Sequence, residues 1–282
     1  MIIWLASYPR SGNSLTRSIL GKCYGIDSYS DSPRDNRLAT ETGKSSGTAL
    51  YSGEWTSFYI HASNSPKLYF IKTHLPPIDK APFIYIVRDG RSSSWSYFNF
   101  MTDYFPEAKR SLSQIILGDD YYGDWSSHYN AWTNRPGVRS LQLNFAQLPD
   151  ASMELLRQIA GFIHHTGPII PWKNTLQELH KEEPKFFREG KTTWTPPPEW
   201  TPSVDFIFWQ RHAHLMETLN FGSRPSSQLA PEYEATLTEL CFRKIPCTEP
   251  AQILSSRGNH VPWHTHLYRA GRSLLGDHRY SR

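Results

Sequence analysis

WLASYPRSGNSLTR, residues 4–17, is the stretch whose reading decides the fold. Trp4, Leu5 and Ala6 close a short apolar run over residues 2–6 that reads as a buried strand. Pro9 and Gly12 bracket a polar, basic bend, and residues 14–23 have helical character. A strand that passes through a glycine-containing turn into a helix aims backbone N–H groups and the positive end of the helix at one point. That geometry receives a phosphate or a sulfate. Arg10, Ser11, Asn13 and Ser14 add a charge and side-chain donors at the same place. The turn lacks the GxxxxGK[ST] spacing of a standard nucleotide P-loop, and its lone glycine leaves an ordinary strand-to-helix turn as the competing reading.

Further along, residues 83–87, 138–145 and 68–71 also read as buried strands, the second alternating through Leu141 and Leu143. Helix-like stretches lie at residues 90–100, 124–133 and 151–163. Strands alternating with helices predict an α/β fold, a central parallel β-sheet flanked by helices on both faces. Ligands on such sheets sit at the carboxyl ends of the strands, where the opening turn lies. Residues 25–66, rich in Ser, Thr, Asp, Gly and Tyr and without clear periodicity, predict a long surface excursion that shapes a pocket. A proline-rich stretch at 195–202 precedes an aromatic helix candidate at 204–219. The chain divides into a domain over 1–222 and a C-terminal extension over 223–282. The extension leaves three roles open: docking on the body, forming a homodimer, or disorder.

The chain has 282 residues and a formal net charge of +4, which suits an anionic ligand but is too diffuse to imply nucleic acid. Aromatic residues make up 14 %, with 10 Trp, as expected of flat-walled pockets or grooves. Cys23, Cys241 and Cys247 form no CxxC pair, and a reduced cytosol is the economical reading. No basic leader precedes the first apolar residues and no run approaches a membrane span, so a soluble cytoplasmic protein with no membrane partner is expected.

Two further segments strengthen the opening turn. FIKTHLPP, residues 70–77, places Lys72 and His74 just after a strand-like run. Residues two apart in an extended chain point the same way, so the ammonium and the imidazole can share one cavity. There the imidazole takes a proton and the lysine holds developing negative charge. A lone histidine is more often a cap or a core-edge residue. The other eleven histidines have no comparable setting, and His164, His165, His264 and His266 lack the ligands of a metal site. IYIVRDGRSSSWSYFNF, residues 84–100, repeats the opening architecture of strand, basic turn and Ser-rich helix start. Arg88 and Ser96 reach one phosphate if that helix packs beside the strand end; the plainer alternative makes Arg88 and Asp89 a surface ion pair.

Taken in order, these segments resemble the sulfotransferase family that uses 3′-phosphoadenosine-5′-phosphosulfate (PAPS). SYPRSGNSL, residues 7–15, is similar to the family signature T-Y-P-K-S-G-T-T-W, and KTHLP, residues 72–76, to the segment bearing the family's catalytic histidine. Arg88 and Ser96 have the family's spacing of eight (96 − 88), and FFREGKTTW, residues 186–194, is similar to its late R-K-G-x-x-G-x-W loop. The resemblance covers residues 1–222 and implies a P-loop-like sulfotransferase domain there. It implies transfer of a sulfuryl group from PAPS to a hydroxyl or amine of a small organic acceptor, leaving PAP, with no metal. In it His74 is the general base, with Lys72 and Arg10 neutralising charge. Residues Arg10, Ser11, Gly12, Asn13 and Ser14 hold the 5′-phosphosulfate. Arg88, Ser96, Arg188, Glu189 and Gly190 hold the 3′-phosphate, and Phe145 lines the adenine site.

The form SYPRSGN resembles bacterial enzymes of natural-product pathways, among them those that sulfate alkaloid toxins. The departures fall mostly around adenine. Arg10 replaces a lysine, Leu15 a tryptophan, Phe145 and Ala146 a Tyr-Glu pair, and Glu189 a lysine, and the late loop is one residue shorter. Residues 25–66, 97–104 and 194–209 are the expected acceptor walls. Two rivals remain. A kinase-like P-loop phosphotransferase needs a Lys-Ser/Thr pair in the loop, which is missing. A non-catalytic PAP- or sulfate-binding module would have no need of Lys72 and His74 together.

Overall fold

A computed structural model describes residues 1–31, 47–174, 177, 180–181, 190–227 and 229–242. Five strands, β1 (Ile2–Ser7), β2 (Ser28–Ser30), β3 (Tyr69–Thr73), β4 (Phe83–Val87) and β5 (Ser140–Asn144), form one sheet in the order β2-β3-β1-β4-β5. Every neighbouring pair is parallel. β1 is central, and all six of its residues are buried, which is why it reads as an unbroken apolar run.

Alternation along the central strands sorts side chains to two unlike faces. Ile3 and Leu5 of β1, with Ile84 and Ile86 of β4, join a largely aliphatic cluster. It is covered by α1 (Asn13–Tyr24) and α6 (Met153–Ile163) through Leu15, Ile19, Leu156 and Ile159. Trp4 of β1 and Phe83 and Tyr85 of β4 join an aromatic cluster on the opposite face. Around it stand α2 (Trp55–Asn64), α3 (Gly90–Tyr104), α4 (Leu112–Leu117), α5 (Trp125–Thr133), α7 (Pro202–Thr218) and α8 (Pro231–Phe242).

Side-chain caps fix several of these helix starts. Asp124 accepts from the Ser127 N–H (2.8 Å), Ser152 from the Leu155 N–H (3.2 Å) and Thr201 from the Val204 N–H (3.4 Å). Ser111 and Gln114 close a reciprocal capping box at α4. Chain order runs from β1 outward to β2 and back to β3, then crosses to the other side of β1 for β4. The sheet therefore changes direction beside β1, and the carboxyl ends of β1 and β4 flank the position where such sheets take ligands.

The sequence places four of the five strands and the helices at α1, α3, α5, α6 and α7 within a few residues. The surface excursion over 25–66 needs correction. It contains β2, paired with β3, and α2, whose Trp55 and Tyr59 rings pack on Trp4 at 6.3 and 6.2 Å. β2 is three residues long, too short to print an alternation. Its anchor is non-local: the buried Arg17 guanidinium donates to the Ser28 hydroxyl (2.7 Å) and carbonyl (3.1 Å).

Part of the stretch assigned to a C-terminal extension forms α8, which buries Leu237 and Cys241 against α7. Residues 32–46 and 243–282, with Cys247, His264 and His266, lie outside the described residues. Cys23 and Cys241 are buried free thiols, and among the described residues no helix is long and apolar enough to cross a membrane.

Candidate active site

The corner after β1 is shaped by left-handed backbone. Arg10 has φ 64° and Gly12 φ 106°. The Ser11 N–H donates to the Tyr8 carbonyl (3.3 Å), closing the bend. Gly12 has a second reason to lack a side chain, because a Cβ there would stand 2.5 Å from Cδ2 of Phe145. Gly12 is the N-cap of α1 and supplies no side-chain cap, so the first-turn N–H groups of Asn13, Ser14 and Leu15 remain available to an anion.

The Asn13 amide points inward instead, donating to the Leu5 carbonyl (2.8 Å) and the Ser7 hydroxyl (3.3 Å). What Asn13 offers at the corner is therefore its backbone N–H. The Ser11 hydroxyl meets that of Ser93 at 3.1 Å, tying this corner to α3. Leu15 is a core residue of the aliphatic face.

The corner after β4 ends differently. The Asp89 carboxylate caps α3, accepting from the N–H groups of Arg91 (2.9 Å) and Ser92 (3.5 Å). It also pairs with the Arg91 guanidinium at 2.6 Å. Asp89 is buried, so the surface ion pair with Arg88 considered above does not form.

Arg88 turns toward the first corner. It donates through Nη1 to the Arg10 carbonyl (3.0 Å) and through Nη2 to the Lys191 carbonyl (3.1 Å), with its guanidinium 4.3 Å from the centre of the Phe145 ring. Burial, partly offset by Asp89, lowers its pKa to about 10, so it stays charged at neutral pH. Its Nε is buried with no hydrogen-bond partner among the described residues. Arg10 in turn donates from Nε to the Ser96 hydroxyl (3.3 Å) and lies 5.3 Å from the Phe100 ring.

Arg10, Arg88, Ser96 and Phe145 therefore form one cluster, and the late loop reaches it at Lys191, next to Gly190 (φ 65°). Arg188 and Glu189 lie outside the described residues.

His74 follows the last residue of β3. Its Nδ1 is 2.7 Å from the Ser7 carbonyl oxygen, which only accepts, so Nδ1 carries a proton and, in the neutral ring, Nε2 holds the lone pair. The ring stands edge-on to Tyr122 at 5.8 Å, and Tyr122 to Tyr97 at 6.0 Å. Lys72 is buried in β3, in register with Leu5 and on the same face as Phe70, the face that α1 covers. The alternation expected to point Lys72 and His74 together stops at Thr73, where β3 ends. Lys72 lies on the α1 side of the sheet, while the imidazole meets Tyr122, which packs with the aromatic face.

Three residues around His74 escaped the sequence reading. His128 and Trp132 of α5 and Tyr85 of β4 are buried and bonded to or next to this segment. A signal for them existed: Trp125, His128 and Trp132 recur at helical spacing in a stretch already expected to be a helix, which marks one inward face. Among the described residues no group of three or more His, Cys, Asp or Glu is placed to hold a metal ion.

A parallel sheet covered on both faces, with an uncapped helix start at its switch point, defines an α/β protein of the kind whose ligands sit at the carboxyl edge of the sheet. The chain belongs to the sulfotransferase family, whose domain model matches residues 2–196. Its fold is similar to the crystal structure of mouse sulfotransferase SULT7A1 complexed with PAP, at a TM-score of 0.52 and 18 % identity. That match covers 78 % of this chain and 88 % of the other. No curated protein matches the chain.

Proposed function

We propose that the protein transfers the sulfuryl group of PAPS to a hydroxyl or amine of a small organic acceptor, with residues 1–222 as the catalytic unit. The observation that carries this reading is convergence at one strand edge. The uncapped start of α1, the Arg10–Arg88–Ser96 cluster and the lone-pair nitrogen of His74 all lie at the carboxyl ends of β1, β3 and β4. A donor with two phosphate-bearing ends fits this arrangement. The helix start suits the 5′-phosphosulfate, and Arg88, whose buried Nε has no partner among the described residues, suits the 3′-phosphate beside Ser96 and the late loop at 188–190. Phe145, packed between Gly12 and Arg88, borders the adenine. PAP in the similar mouse enzyme supports the same donor class.

The step is an in-line displacement. A lone pair of the acceptor oxygen or nitrogen forms a bond to sulfur as the bond from sulfur to the bridging oxygen breaks. That electron pair leaves on the 5′-phosphate of PAP, and the acceptor proton passes to Nε2 of His74. Arg10 balances the charge that gathers on the bridging oxygen and the sulfuryl group, and Lys72 adds positive charge from the α1 side of the sheet, across from His74. Tyr97, Phe100 and Tyr122 form an aromatic wall near His74 that suits a small organic acceptor, of the secondary-metabolite kind implied by the sequence form of the loop.

Titration calorimetry with PAP, ATP and ADP tests the donor. PAP is expected to bind the wild type and to bind Arg88→Ala roughly ten- to a hundredfold more weakly, whereas preferential binding of magnesium-ATP would overturn the reading. His74→Ala is expected to bind PAP normally and lose about 10²–10⁴-fold in turnover with PAPS.

A further inference from the structure

The backbone that carries His74 is held from an unusual direction. His128 and Trp132 stand four residues apart on α5 and so share one face of that helix. His128 donates from Nε2 to the His74 carbonyl (3.0 Å), and Trp132 from Nε1 to the Leu75 carbonyl (2.9 Å). Two successive carbonyls leaving a strand are thus satisfied by side chains of one helix instead of by a sheet neighbour.

The carbonyl of His74 also fixes the proton of His128 on Nε2, which leaves Nδ1 to accept from the Tyr85 hydroxyl (2.9 Å). Burial lowers His128 to a pKa of about 4, so it is neutral at working pH. The Tyr85 hydroxyl is also within the influence of the Tyr8 backbone N–H, and the Tyr8 ring meets His128 edge-on at 5.9 Å. The ring of His74 is tied at Nδ1 to Ser7, and its backbone is tied to α5.

We propose that His128 and Trp132 are positioning residues that clamp the His74–Leu75 backbone, with Tyr85 holding His128 in the tautomer that the clamp needs. The inference rests on the reading of His74 as the general base. With both carbonyls fixed, the Nδ1–H bond to Ser7 is maintained and Nε2 stays the acceptor nitrogen. Without the clamp the imidazole is released to the Nε2–H tautomer, which cannot take the acceptor proton. Hydrocarbon side chains at 85 and 128 would fill the same core without this constraint.

The test is two-bond ¹H–¹⁵N correlation of histidine-labelled protein with PAP added, for the wild type and for Tyr85→Phe, His128→Leu, His128→Gln, Trp132→Phe and His74→Ala. The Nδ1–H form of His74 is expected to dominate in the wild type and to persist in His128→Gln, whose amide keeps a donor at the Nε2 position. In His128→Leu, Tyr85→Phe and Trp132→Phe the Nε2–H form is expected to grow. In those three variants kcat with PAPS and a phenolic acceptor should fall by about ten- to a hundredfold, while PAP affinity stays within about twofold.

Should His128→Leu fail to fold, Tyr85→Phe and Trp132→Phe, which keep the ring or its bulk, carry the same test. An unchanged His74 tautomer and unchanged kcat in the folded variants would overturn the clamp. Equal loss of PAP affinity and kcat, rescued by neither His128→Gln nor any other variant, would also overturn it, because that pattern marks general destabilisation. Full turnover in His74→Ala would instead remove the base role, and the tautomer spectra would still decide the clamp.

Discussion

The corners after β1 and β4 look alike in sequence, each a strand running through a basic turn into a Ser-containing helix, yet they end in opposite ways. At the first, the N-cap is a left-handed glycine that makes no side-chain cap at the start of α1. At the second, Asp89 fills the start of α3 and locks Arg91 beside it. One helix start is left open to an external anion and the other is closed by an internal one. The second corner therefore contributes through side chains, Arg88 and Ser96, which reach back to the first. Similar local sequence yields an uncapped helix start in one place and, in the other, an arginine that donates to the first corner and a serine that accepts from it.

The contrast makes a graded set of expectations. Gly12→Ala should do the most damage, because it combines a φ of 106° with a Cβ 2.5 Å from Phe145. Left-handed backbone costs a non-glycine residue about 1–2 kcal/mol before the collision is counted. PAP affinity measured by calorimetry should drop by more than about a hundredfold in this variant. Near-normal affinity would mean that the open helix start is not the anion site.

Arg88→Ala comes next. Loss of charge-assisted hydrogen bonds worth about 1.5–3 kcal/mol should weaken PAP by roughly ten- to a hundredfold. Asp89→Ala should separate the corners. Removing the α3 cap should lower stability by about 1 kcal/mol, a melting shift of about 2–4 °C by calorimetry, with PAP affinity almost unmoved. A large loss of PAP affinity there would show that the second helix start also takes part in binding. Arg10→Lys should change PAP affinity by only about two- to fivefold, a smaller free-energy effect than the stability loss in Asp89→Ala, since the charge stays and only the bond to Ser96 and the contact with Phe100 are lost.

How far the sequence could be read follows from the range of each interaction. The first corner was legible because its signals are local: an apolar strand, Pro9, Gly12 and a helical pattern lie within one short stretch. Asp89 was visible as the residue between strand and helix, and its capping role follows from its place there. The neighbouring Arg88 made an ion pair the competing reading, and only the direction of the carboxylate toward Arg91 and Ser92 decides it.

β2 and α2 were hidden because three residues print no alternation and because the aromatics of α2 sit in Ser- and Thr-rich surroundings. Lys72 and His74 were found, but their relative placement depends on where β3 stops, which alternation alone does not mark. His128 had the spacing of a buried helical face. Its partner, the His74 carbonyl, lies 54 residues earlier in the chain, and no local pattern reveals it.

The hydrogen bond from Arg88 to the Lys191 carbonyl spans 103 residues. During synthesis all five strands of the described sheet have emerged once Asn144 has, so the sheet can pair while the late loop is still inside the ribosome. The cluster around Arg88 has to wait for Lys191. Closing contacts of such separation is slow compared with forming neighbouring helices. A chain cut short before Lys191 would keep the five strands described above while lacking the carbonyl to which Arg88 donates.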